Sequence, residues 1–152
     1  MREQYALVQS SRSVLLDYCA TISAEHLVAV HPGFGRGSVR DMLIHIANVY
    51  ELWIAEKALE RDVTFTSPHD VLTIEHVRDV FRRVDSIVED FFRFVVAEDK
   101  HMFQVERNGH RQNYSATSLF THAITHEFHH KGQVLSLSRM LGYTPIDTDI
   151  IR

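Results

Sequence analysis

SATSLFTHAITHEFHHKGQVLSLSRMLG, residues 115–142, carries the marks of one long helix. Ser115 or Thr117 supplies an N-cap, and Gly142 stands where a helix stops, with Pro145 just beyond it. Between these signals Leu119, Ala123 and Leu137 share one sector with His122, His126 and His130. Residues four apart on an α-helix project side by side. His126 and His130 therefore converge, on the face that should meet the rest of the protein. A helix of this length with one apolar face needs partners to cover it.

The remainder of the chain supplies them. A first apolar stripe runs from about Gln4 to Ala20 through Leu7, Val8, Val14, Leu15, Tyr18 and Cys19. SAEHL from Ser23 reads as a short capped turn, and HPGFGRG, residues 31–37, as a breaker-rich loop. Ser38 caps a second helix reaching about Glu60, with Asp41 at the capping-box position. RDVTFTSPHDVL is a connection with room for one extended stretch. Thr73 caps a third helix whose register holds Ile74, Val77, Phe81, Val84, Ile87, Val88, Phe91 and Val95. QVERNGHRQNY, with its Asn108-Gly109 pair, predicts a small hairpin before the last helix. Four long amphipathic segments burying their faces against one another predict an all-α fold. The expected form is a four-helix bundle with a short hairpin-like excursion, as a single domain over residues 1–152.

Composition narrows the function. The net charge is -4 and no basic stripe is visible, which argues against nucleic acid as a direct ligand. No apolar run approaches the roughly 18–20 residues that span a bilayer. MREQYALVQS does not read as a signal peptide, and the lone Cys19 forms no internal disulfide, so a cytoplasmic setting is expected. There are 11 histidines. His26, His31, His69, His76, His101 and His110 lie in polar segments and read as surface residues. His45 instead lies among Met42, Val49 and Leu52 on the apolar side of the second helix.

A bundle brings His45 opposite the His126/His130 pair. Three neutral imidazoles suit a divalent transition metal and leave positions for water or substrate. Spacing alone leaves open whether His45 or His122 is the third ligand. Gln133, one turn from His130, is placed either to hydrogen-bond a ligand or to lie at a subunit contact, and Gly132 suggests close packing against the helix or a glycine tolerated without a functional reason. H-E-x-x-H also invites a peptidase reading with Glu127 as general base. That reading finds little support for a third ligand: no glutamate follows Glu127, Gln133 and Ser136 occupy the Gly and His positions of the extended motif, and the remaining candidates, Asp147 and Asp149, lie beyond the helix end in a short tail.

With these residues in view, the chain resembles the DinB-like, damage-inducible family over nearly its whole length. The resemblance rests on SVRDMLIHIANVYELW, on His126, His130, Lys131, Gly132 and Gln133 as H-x-x-x-H-[RK]-G-Q, and on Gly142, Pro145 and Asp149 in the closing segment. Lys131 stands where the family more often has arginine. The resemblance implies a four-helix bundle, a divalent metal (zinc or nickel) on His45, His126 and His130, and frequent homodimerisation. It makes Glu127 an occupant of a variable position, incidental to the chemistry. It further implies a small-molecule substrate and a thiol-dependent S-transferase using a low-molecular-weight thiol such as bacillithiol or mycothiol. Metal-dependent hydrolysis and a non-catalytic, ligand-sensing dimer are the alternatives.

Overall fold

The computed structural model describes residues 1–35, 37–107 and 109–152. Helix α1 spans Arg2–Cys19, and α2 spans Ala24–Val28. Helix α3, Val39–Tyr50, runs on as a π-helix over Glu51–Ala58. After a 3-10 turn at Pro68–Asp70 come α4 (Ile74–Ala97), β1 (Met102–Arg107), β2 (His110–Ser115) and α5 (Ala116–Met140). The fold is thus mostly helical, with one small antiparallel hairpin where the sequence predicts it. Asn108 of the expected turn and Arg36 of the 31–37 loop lie outside the described residues.

The helix starts are set by side chains that accept orphan backbone N–H groups. Ser23, Ser38, Thr73 and Ser115 each accept from the N–H three residues on. Asp41 does not complete a capping box in return; its carboxylate takes the Arg40 guanidinium instead, at 3.0 Å. Helix α5 ends in a Schellman motif, with Tyr143 N–H on the Ser138 carbonyl and Gly142 N–H on that of Arg139. Gly142 has φ +92°, which a residue without Cβ adopts at no steric cost. The connection after the π-helix forms no strand. Asn48 holds it to α3 instead, donating to the Thr66 carbonyl at 2.9 Å and accepting from its N–H at 3.2 Å.

Helix α3 packs against α5 and α4, while α1 packs against α4 and α5. Tyr50, Ile54, Phe91, Phe120, Leu119 and Leu137 are fully buried in the resulting core. Each such side chain contributes about 1.5–3 kcal/mol of transfer free energy. The inward face of α1 differs from the expected stripe: Leu7 is exposed and Val14 half-buried, whereas Tyr5 and Arg12 are buried. Among the described residues no helix is long and apolar enough to cross a membrane.

Candidate metal centre

The antiparallel approach of α3 and α5 brings His45 against His126 and His130. Ring centroids lie 5.0 Å apart for His45 and His126, 4.7 Å for His45 and His130, and 4.5 Å for His126 and His130. Their ligand atoms all lie within 4.8 Å of one another. His130 is buried, and the other two are half-buried at the edge of the core. Nε2 of His126 stands 2.9 Å from Nε2 of His45. Two nitrogens bound at about 2.0–2.1 Å to one ion sit about 2.9 Å apart at a right angle and about 3.4 Å apart at the tetrahedral angle. The donor set, three imidazoles drawn from two rigid helices, fits a divalent transition metal.

The third member offered by spacing, His122, is not in this group. Its ring lies 5.8 Å from that of His126 and 4.9 Å from Trp53. Its pKa is lowered, by desolvation first and then by the charge of Arg107. His45 wins the place because α3 faces α5 at the level of His126 and His130, a fact of packing that spacing does not encode.

Gln133 meets His130 one turn away, as one of the two readings of the sequence expects. Its Oε1 accepts from Nδ1 of His130 at 2.7 Å, which puts the proton of the neutral imidazole on Nδ1 and makes Nε2 the ligand-type nitrogen. Its amide nitrogen reaches Nε2 of the exposed His129 at 3.2 Å. Gln133→Ala is expected to weaken metal binding by about 10–100-fold with the ligands intact, read by chelator competition. Gln133→Glu, which keeps the acceptor, should bind as the wild type does.

Beside His45 opens a cavity of about 330 Å³ lined also by Gly35, Asp41, Asn48 and Pro68. The Asn48–Thr66 clamp thus shapes one wall of the space next to the histidines.

A sequence model of the DinB family matches residues 1–152, the whole chain. The chain belongs to the DinB family. No curated protein matches it.

In this DinB-family chain Glu127 is neither a metal-side base nor incidental. It is 1% exposed and lies in the core, its carboxylate accepting from Arg12 Nε and Nη2, each at 2.8 Å. The Tyr50 hydroxyl donates to the same carboxylate at 2.6 Å. Arg12, 3% exposed, also donates to Asp85 at 2.7 Å and lies over the Phe81 ring at 4.5 Å. Burial acts to lower the Arg12 pKa, but the neighbouring Glu127 charge and its hydrogen bonds outweigh it and raise the pKa above the usual arginine value, so the guanidinium stays charged. Sequence reading passed over Arg12 and Asp85. The available signal was an arginine four residues after Val8 and three before Leu15, on the apolar stripe of α1.

Lys131 is likewise structural. Its ammonium donates to the Thr148 carbonyl at 2.8 Å and to the Ser11 hydroxyl, pinning the chain end across α1 and α5. Burial pushes its pKa down to about 8. Gly132 does not mark a close approach: a Cβ there would meet nothing within 4 Å, because the residue faces outward.

Proposed function

We propose that this DinB-family chain is a divalent-metal-dependent, thiol-dependent S-transferase, which joins the sulfur of a small thiol to an electrophilic acceptor. The supporting observation is the convergence of His45, His126 and His130 beside a cavity, with one imidazole already oriented by Gln133. The four long helices are read with it as a bundle, in which α3 and α5 form the rigid wall that carries the ligands. A divalent ion there, zinc or nickel by donor type, supplies Lewis acidity that lowers the pKa of a coordinated thiol or water.

The chain's own sulfur does not serve. Cys19 is buried and burial pushes its thiol up to about 12, so thiolate has to come from a cosubstrate. Asp41 lines the cavity with His45, and in this reading its carboxylate takes the thiol proton. The thiolate then forms the new bond to the acceptor carbon as the acceptor's leaving group departs with its electron pair. Asp41 is also the observation that favours a second reading, hydrolysis, in which it takes a proton from water.

The test is turnover by zinc- or nickel-loaded protein with bacillithiol or mycothiol and an aryl halide acceptor, followed by thioether absorbance. Thiol- and metal-dependent turnover that vanishes in His130→Ala is expected. Ester hydrolysis without any thiol turnover would establish the second reading. Neither activity, with metal bound, would leave a ligand-sensing dimer.

A further inference from the structure

The metal group is not the only place where recognition chemistry gathers. Along α5, about one turn before His126 and about 6 Å down the axis, His122 packs its ring 4.9 Å from Trp53. Trp53 belongs to the π-helical continuation of α3 and is 9% exposed. π-helical turns occur often at functional sites. The guanidinium of Arg107, at the end of β1, lies 5.6 Å from the Trp53 ring centroid. Beside them is a cavity of about 280 Å³ whose lining includes Leu52, Lys57, Val105 and Glu106.

The charges around this cavity are unequal. Lys57 is paired with Glu56 at 2.6 Å, and Glu106 accepts from Arg111 at 2.9 Å. Arg107 has no carboxylate partner among the described residues. One uncompensated guanidinium therefore stands over an indole, with the apolar side chains of Leu52 and Val105 alongside. A planar fork of donors suits a carboxylate, and the aromatic and aliphatic surface suits the body that carries it.

We propose that Arg107 and Trp53 form a carboxylate-binding subsite one helical turn from the histidine triad, which takes the anionic end of an acceptor with an aromatic or apolar body. Its place in catalysis rests on the reading of the triad as a reaction centre; the binding itself does not. Arg107 pairs with the carboxylate, and Trp53 stacks against the body. The chain of rings from Trp53 through His122 to His126 leads from that anchor to the metal ligands.

Trp53 is the single tryptophan, so its fluorescence reports the subsite directly. The probe is benzoate, with benzamide as the neutral counterpart, titrated into the full chain with zinc and into metal-free His126→Ala. A saturable change with benzoate is expected in both proteins. Affinity should fall at least about tenfold for benzamide and for Arg107→Gln, and recover in part for Arg107→Lys. No saturable change, equal affinity for benzamide, or unaltered binding in Arg107→Gln overturns the proposal. So does benzoate binding that needs zinc, because the carboxylate then sits on the metal. Benzoate binding in both proteins alongside absent turnover by the zinc-loaded wild type would fault the enzymatic reading and leave the subsite standing.

Discussion

Replacing His126 with alanine is expected to abolish stoichiometric metal binding and leave the fold in place. One of three converging imidazoles is removed, from a half-buried position at the edge of the core. Even the loss of a residue that only orients a ligand costs about 10–100-fold in affinity, so loss of a ligand should exceed about 100-fold. Elemental analysis of untagged protein should fall from near one metal per chain to a trace, and His45→Ala should do the same. His122→Ala should retain the metal, since its ring lies outside the group. Metal bound to the native state at about 100 times its Kd adds about 2.7 kcal/mol of stability. That increment should appear as a zinc-dependent rise in Tm for the wild type and be missing from His126→Ala. Unchanged metal content in both ligand variants would remove the assignment.

The second large effect concerns Glu127, one residue along the same helix and on its other side. Glu127→Ala is expected to cost about 3–5 kcal/mol of stability, because it leaves the buried Arg12 guanidinium short of its main counter-charge. The Tyr50 hydroxyl loses its acceptor in the same step. Removing both charges should cost far less than removing one: Arg12→Met with Glu127→Met is expected to recover most of the loss, since the desolvation of both ions disappears together. Urea unfolding of metal-free protein measures these values. A Glu127→Ala cost under about 1 kcal/mol, or a double variant as unstable as the single ones combined, would refute the buried-pair account. Glu127→Gln should bind metal like the wild type, a result that a metal-side general base would not give once turnover is also retained.

Much of the molecule was legible because its signals are local. Ser38, Thr73 and Ser115 cap as their positions predict, since a cap needs only its own N-terminal turn. Gly142 ends α5 for a similarly local reason. The π-helical stretch at Glu51–Ala58 was not legible, and neither was the burial of Arg12, because both depend on what packs against the helix.

The sequence by itself determined four long helices, a hairpin, the i, i+4 pairing of His126 with His130, and membership of the DinB family. Periodicity, capping and motif order carry that information along the chain. Only the tertiary structure decided that His45 and not His122 joins His126 and His130, and that Glu127 faces Arg12 instead of the three histidines. Adjacent residues on a helix point about 100° apart. Which of those directions meets a ligand, an ion pair or solvent is set by the neighbouring helices, so H-E-x-x-H alone does not distinguish a catalytic base from a core carboxylate.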